Sequence, residues 1–150
     1  RNSPAPIATP VTTPFDIADL YFDIESVKAK AEITVLQLLR GNQARNKLET
    51  ELSDYLYPTE SGYELLLILI QFKYLESEKD TSIKPGYYFS AYSGEGKRLG
   101  EWMEMFEPNL SSEIYPGGQH TGWILYTASV NDEQPFLVFN EEAFFKLYYD

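Results

Sequence analysis

The longest apolar stretch of the chain, residues 63–75 (YELLLILIQFKYL), places the strongest constraint on the fold. Its odd and its even positions are both apolar: Leu65, Leu67 and Leu69 alternate with Leu66, Ile68, Ile70 and Phe72. Successive side chains of a strand point to opposite faces, so such a strand needs apolar cover on both sides. We therefore predict a central strand, covered on one face by an opposing sheet and on the other by a helix or by the N-terminal segment.

The region before this strand predicts a half-buried strand followed by a helix. From Val27 to Val35, apolar residues alternate with Lys28, Lys30, Glu32 and Thr34, which is typical of an antiparallel strand with water on one side. Gly41 ends this region and Asn42 suits a helix N-cap. The helical spacing of Ala44, Leu48 and Leu52 predicts a helix of about three turns that crosses to the central strand. Residues 15–25 fit either a short helix or an edge strand.

Several short apolar segments follow. Residues 87–92 predict a strand, residues 93–96 supply a turn, and residues 99–108 predict a short amphipathic connection that buries Trp102. Residues 136–139 (FLVF) predict a strand that pairs with residues 123–128. The tail, residues 142–149, is rich in aromatic side chains and is expected to dock on the sheet. About seven strands with one or two short helices indicate an all-β, immunoglobulin-like antiparallel β-sandwich over residues 15–150.

Residues 110–128 (LSSEIYPGGQHTGWILYTA) predict a strand, a tight turn and a second strand. Pro116 restricts its own φ, and Gly117 and Gly118 tolerate positive φ, so the backbone can reverse there. Gly122 is expected to let the following strand pack closely, and Trp123 to anchor the core. These five residues are predicted to be the structural signature of the fold.

Residues 1–14 (RNSPAPIATPVTTP) contain four of the nine prolines and no acidic residue. This composition favours extended conformations and buries little, so we predict a flexible tether. The chain starts on Arg1 with no Met and no signal peptide. We interpret it as a mature or trimmed chain whose targeting segment has been removed.

The charge of the chain argues against two classes of partner. Its 12 basic and 23 acidic residues give a net charge of −11, and no window concentrates lysine or arginine. Nucleic acid and anionic membrane surfaces would therefore repel it. No run approaches the roughly 18 apolar residues of a membrane span. The absence of cysteine excludes disulfides and thiolate chemistry.

No motif in the chain specifies a reaction or a cofactor. His120 is the only histidine and lies beside the Pro-Gly-Gly turn, so it is expected to be a surface turn residue. The acidic loops at residues 76–80 and 131–133 lack the spacing of a calcium-binding loop. Carboxylate pairs for glycoside hydrolysis cannot be identified from sequence. We predict no enzyme activity and no catalytic, cofactor-binding or metal-binding residue.

The aromatic content, 15% with 12 tyrosines, is the feature that points to recognition. Exposed tyrosine and tryptophan rings stack on sugars or anchor protein interfaces. The alternative is that these rings fill the core of the sandwich. The candidate ligand or partner contacts are Tyr87, Tyr88, Tyr92, Trp102 and Tyr115.

The chain also contains, in this order, LLRGNQARNKL, SGYELLLILIQFKYLE, EIYPGGQHTGWILYTA and PFLVF. Together they resemble the telokin-like, immunoglobulin-fold domain of exported lipoproteins of Gram-positive bacteria, a family generally without an assigned function. The resemblance spans residues 27–139. It implies an antiparallel sandwich, export, a lipidated cysteine before a flexible tether, and no catalytic or cofactor residue. The aromatic tail after Asn140 and the absence of a lipobox depart from the family pattern.

These observations predict a non-enzymatic, extracellular binding or spacer module on a bacterial cell surface. An unknown protein or glycan is the expected partner, and a removed N-terminal lipid anchor is the only expected contact with a membrane. The alternative function is a small-ligand or carbohydrate receptor that uses the exposed aromatic side chains.

Overall fold

The computed structural model describes residues 3–17, 26–51, 60–102 and 108–150, which contain eight strands, one α-helix and one 3-10 helix. The elements are β1 (Val11–Ile17), β2 (Val27–Arg40), α1 (Asn42–Glu51), β3 (Tyr63–Ser77), the 3-10 helix (Pro85–Tyr88), β4 (Phe89–Tyr92), β5 (Gly100–Trp102), β6 (Gln119–Ser129), β7 (Phe136–Phe139) and β8 (Ala143–Lys146). The strand predicted for residues 87–92 therefore begins two residues later, after the 3-10 helix.

The strands form two antiparallel sheets. The larger sheet has the order β1-β2-β3-β6-β5, and the smaller sheet has the order β4-β7-β8. This arrangement confirms the predicted all-β, immunoglobulin-like sandwich. The predicted pairing of residues 136–139 with residues 123–128 is wrong, because β3 and β5 already occupy the two edges of β6. β7 instead pairs with β4 and with the docked tail strand β8.

β3 is the central strand that the sequence predicts. It pairs with β2 on one side and with β6 on the other. Leu66, Ile68, Ile70 and Phe72 belong to the core between the sheets. On the opposite face, Leu65 and Leu67 pack with Trp123 and Leu125 of β6 and with Ala44 and Leu48 of α1. Of the two covers proposed for this second face, the structure therefore shows the helix.

A cluster of aromatic rings lies in the core between the sheets. The ring centroid of Phe139 lies 5.1 Å from that of Phe15, 5.5 Å from Phe72 and 4.9 Å from Phe89. These four rings come from β7, β1, β3 and β4. Because β7 and β4 belong to one sheet and β1 and β3 to the other, this cluster joins the two layers.

A tether was predicted for residues 1–14, but the described part of it, residues 3–14, forms hydrogen bonds with the sheets. β1 already starts at Val11 and pairs with β2, where Val11 is opposite Ile33. Upstream, the Ala5 amide donates to the carbonyl of Phe144, and the Ala8 amide donates to the carbonyl of Val35. The prolines do not prevent this order, because Pro14 lies in β1, an edge strand, where proline is tolerated.

The Pro-Gly-Gly segment also differs from the predicted hairpin. Its turn folds onto β3: the Gly117 amide donates to the carbonyl of Tyr74, whose own amide donates to the carbonyl of Gly118. The arm before the turn is no strand of the described structure, and only an isolated bridge joins Ile114 to Ile83. β6 pairs with β3 and β5, so the turn does not connect two paired strands.

Candidate functional site

The five aromatic candidates do not share one surface. Tyr87 and Tyr115 are exposed, at 55% and 53% of their surface. Tyr115 lies in the turn that folds onto Tyr74, near the end of β3. Tyr92 ends β4 and is paired with Phe136, at the opposite end of the sandwich. The side chain of Trp102 lies outside the described residues.

Tyr88 and Tyr92 are half-buried in ring contacts. The ring centroid of Tyr88 lies 5.8 Å from that of Phe15 and 6.0 Å from that of Phe139. Desolvation raises the pKa of the Tyr88 hydroxyl above its ordinary value, and the nearby Tyr74 adds a smaller effect. Tyr92 stacks on Phe136, with the ring centroids 5.4 Å apart. The ring of Tyr88 therefore packs against both sheets, and the ring of Tyr92 packs on the smaller sheet.

A cleft lies at the end of the sandwich where β3 begins. It has a volume of about 920 Å³ and is open to solvent. Its lining comes from the start of β3, the β4–β5 turn (residues 93–99) with Gly100 of β5, the end of β6 and the β6–β7 turn (residues 130–135). The lining includes Glu60, Tyr63, Lys97, Arg98, Asn131 and Asp132. We call it the loop cleft.

The side chain of Asp132 holds two walls of the loop cleft together. Its carboxylate accepts the amide hydrogen of Gly94, with N–O distances of 3.1 and 3.2 Å. One of its oxygens also accepts from the amide of Gln134, at 3.2 Å. At Gly94, a Cβ atom would lie 3.1 Å from this carboxylate oxygen and 3.2 Å from the carbonyl oxygen of Gln134. The glycine therefore permits the close approach of the two turns.

Tyr63 is the aromatic residue of the loop cleft, and it was not among the predicted contacts. Its side chain is 48% exposed, although it is the first residue of the central strand of the larger sheet. The preceding Gly62 has φ +90°, and its carbonyl accepts the amide hydrogen of Val130. The Gly62–Tyr63 entry into β3 was visible in the sequence. Its position beside the β6–β7 turn was not visible, because it depends on the β3–β6 pairing.

An ion pair beside the loop cleft connects three strands of the larger sheet. Arg40 Nε of β2 donates to Glu64 Oε1 of β3 at 2.6 Å, and Arg40 Nη2 donates to the carbonyl of Ser129 in β6 at 2.8 Å. Both ionic side chains are only about a quarter exposed, at 23% each. Partial burial strengthens such a charge-assisted contact relative to a pair on the open surface. The contact therefore fixes the strands that carry Tyr63 and Ser129.

The charged groups that line the loop cleft carry both signs. The described acidic residues are Glu60, Glu95, Asp132 and Glu133, and the basic residues are Lys97 and Arg98. The acids therefore outnumber the bases two to one, in keeping with the net charge of the chain. No group of three or more histidine or acidic side chains among the described residues is arranged to hold a metal ion.

His120 lies in β6 at the other end of the sandwich. Its Nε2 is 2.7 Å from the carbonyl oxygen of Asn109. Because a carbonyl oxygen only accepts, Nε2 is the donor of this hydrogen bond. The half-buried histidine therefore fastens the segment around Asn109 to β6, and it is not the surface turn residue that the sequence predicted.

One buried polar group lies apart from the loop cleft. The hydroxyl of Tyr126 has no hydrogen-bond partner in the described structure, and the residue is 1% exposed. Burial is the main cause that raises the pKa of this hydroxyl strongly, and the charge of Glu101 adds to it. The position of this tyrosine in the core between the sheets makes it a structural residue.

Comparisons with known proteins show a shared fold. No protein-family model matches the chain, and no curated protein matches it. Among the described residues, none of the helices has the length and apolarity to cross a membrane.

Three solved structures illustrate the likeness. The yjhA protein of Bacillus subtilis has a TM-score of 0.55 and 11% identity, over 95% of this chain and 98% of that one. The secreted protein MPT63 of Mycobacterium tuberculosis has a TM-score of 0.51 and 13% identity, over 79% and 83%. A candidate lipoprotein of Bacillus subtilis, ycdA, has a TM-score of 0.54 and 13% identity, over 77% of this chain. The chain spans only 35% of the length of ycdA. At such identities the likeness concerns the fold alone: the chain shares its β-sandwich with these bacterial proteins.

Proposed function

We propose that this chain is a non-enzymatic extracellular binding module that meets its partner at the loop cleft. The observation that carries the proposal is the carboxylate of Asp132, which joins the β4–β5 turn to the β6–β7 turn. The loops of a sandwich are where function is commonly placed, because the strands behind them are rigid. A cleft of about 920 Å³ is within the range of ligand sites, roughly 300–1,000 Å³.

The location of the protein is part of the same proposal. Two of the structures with this fold carry names that describe a secreted protein and a candidate lipoprotein. We infer for this chain a position on the outer face of a bacterial cell, attached through a lipidated cysteine upstream of Arg1. Membership of the telokin-like group of domains is inferred in the same way, from the sequence resemblance and from the sandwich.

The binding proposal can be tested with the purified chain and the cell envelope of its source organism. Fluorescently labelled protein is incubated with washed cells and with separated envelope fractions, and retained fluorescence is measured. We expect saturable binding that Asp132→Ala weakens, because the alanine releases the amides of Gly94 and Gln134.

Asp132→Asn is the matched variant, since its amide oxygen can still accept both of these hydrogen bonds. It should retain most of the binding, and thermal unfolding should show that both variants fold. If the wild-type chain binds no envelope component, or if Asp132→Ala binds as tightly as the wild type, the loop cleft is not the contact surface. The first result would favour a role as a spacer.

A further inference from the structure

We propose that the loop cleft binds an oligosaccharide, with the ring of Tyr63 as the surface on which a sugar stacks. This inference rests on the proposed function, since it names the class of ligand for the same cleft. It differs from the receptor predicted from sequence, because the stacking residue is none of the five aromatic candidates.

The composition of the lining argues for a ligand rich in hydroxyl groups. Among the described lining residues, Tyr63 is the aromatic residue and Leu99 is the large aliphatic one. Apolar ligands and peptide anchors need pockets lined mainly by hydrophobic groups. One aromatic ring among mainly polar and charged residues, whose carbon atoms also contribute surface, instead suits a sugar ring, whose C–H face stacks while its edge forms hydrogen bonds.

The polar groups of the loop cleft meet the second requirement of a sugar. Each hydroxyl of a sugar both donates and accepts hydrogen bonds, so its site must offer both kinds of group. Glu60 and Glu133 supply acceptors, Lys97 and Arg98 supply donors, and the side-chain amide of Asn131 supplies both. These five side chains come from three separate parts of the chain that face one open volume.

The charge of the loop cleft argues against ligands that carry phosphate. Acidic side chains outnumber basic ones two to one in the described lining, and the whole chain carries a net charge of −11. A nucleotide or another phosphorylated ligand would stack on Tyr63 equally well but would be repelled. The charge of the loop cleft therefore favours a sugar over the phosphorylated ligands that also stack on aromatic rings.

The direct test measures binding of the folded chain to an array of short neutral, amino and acidic oligosaccharides, followed by calorimetry with the best one. Stacking on an aromatic ring contributes about 0.5–1.5 kcal/mol, which converts to an affinity change of about 2- to 13-fold, and we expect Tyr63→Ala to weaken affinity by this factor. Tyr63→Phe keeps the ring and should bind within about 2-fold of the wild type. Tyr115→Ala is the matched control, because Tyr115 is equally exposed at the other end of β3.

Each outcome bears on the proposal. If the array shows no binding, or if Tyr63→Ala and Tyr115→Ala lose affinity equally, oligosaccharide recognition at Tyr63 is overturned. If the chain binds an envelope protein in a manner that depends on Asp132 and binds no oligosaccharide, the ligand class is wrong while the proposed function stands. If neither kind of ligand binds, both proposals fail.

Discussion

We expect Gly122→Ala to destabilise the fold, because the backbone at Gly122 lies very close to the backbone at Asn109. A Cβ atom on Gly122 would lie 2.6 Å from the carbonyl carbon of Asn109 and 2.8 Å from the amide nitrogen of Leu110. An ordinary contact begins near 3.4 Å, so the two backbones must separate by about 0.8 Å. Unlike the end of a flexible side chain, a backbone segment cannot rotate away.

The segment around Asn109 is held too firmly to move this far without cost. The carbonyls of Pro108 and Leu110 accept the amides of Trp123 and Gly86, each at 2.9 Å, and His120 holds Asn109 at 2.7 Å. A shift of 0.8 Å that passed fully into these three bonds would lengthen them to about 3.5–3.7 Å, and each is worth about 0.5–1.5 kcal/mol.

The cost of Gly122→Ala can be estimated from these terms. If the three weakened hydrogen bonds lose about half of their value, about 1–2 kcal/mol, and overpacking adds about 1–3 kcal/mol, the gross cost is about 2–5 kcal/mol. The lower entropy of the unfolded alanine chain returns about 0.4–1 kcal/mol of this. We expect a net loss of about 2–4 kcal/mol in the free energy of unfolding. For a chain of 150 residues this lowers the Tm by about 6–12 °C.

The assay is urea unfolding followed by far-UV circular dichroism, with the fluorescence of the two tryptophans as a second probe. Gly100→Ala is the matched control, because Gly100 also lies in a strand of the larger sheet but a Cβ atom placed there would meet no other part of the chain within 4 Å. It should change stability by less than about 0.5 kcal/mol. A loss below about 1 kcal/mol for Gly122→Ala would refute the argument from close approach.

Three further predictions concern stability. Leu67→Ala should lower the free energy of unfolding by about 2–5 kcal/mol, because the side chain of Leu67 is fully buried where β3 packs against α1. Leu75→Ala, at a 42% exposed site, should lower it by less than about 1 kcal/mol. Equal losses in urea unfolding would contradict the central position of β3. Tyr126→Phe should leave stability at neutral pH unchanged or slightly higher, because it removes a buried hydroxyl without a partner. Burial raises the pKa of Tyr126 above its unfolded value near 10. The contribution of this pKa difference to the free energy of unfolding is present in full below pH 10 and is lost as the pH rises further. Tyr126→Phe should therefore flatten the alkaline loss of stability in a series of unfolding curves, and an unchanged alkaline slope would count against this cause. Deletion of residues 1–14 should lower the Tm by about 5 °C or more, because it removes about half of β1 and the hydrogen bonds of Ala5 and Ala8. An unchanged Tm would instead support the interpretation of this segment as a tether.

Much of the fold could be predicted because its signals are local. The alternation after Val27 predicts β2 with one buried face, and the two apolar faces of β3 predict its central place in a sheet. The helical spacing of Ala44 and Leu48 predicts α1. Its apolar side covers one face of β3, for which the sequence left a helix and the N-terminal segment as alternatives. In each case the periodicity of a single segment determines both its conformation and the number of faces it buries.

The pairing of the strands was less accessible to sequence. Residues 136–139 are apolar at every position, so their pattern fits a place in either sheet, and only the occupied edges of β6 exclude it as their partner. The N-terminal segment was misread for a related reason. Its prolines indicate an extended chain, but whether an extended chain is free or lies on a sheet edge depends on the presence of an open edge beside it.

By itself, the sequence determined the conformations of β2, α1 and β3, the reversal at Pro116–Gly118, and a charge that disfavours nucleic acid. Only the tertiary structure decided which loops meet. Gly94 and Asp132 are 38 residues apart and touch because β4 pairs with β7. Tyr63 reaches the same cleft because β3 pairs with β6. A binding site made from separate loops depends on contacts between distant residues, and the local periodicity of a chain carries no record of them.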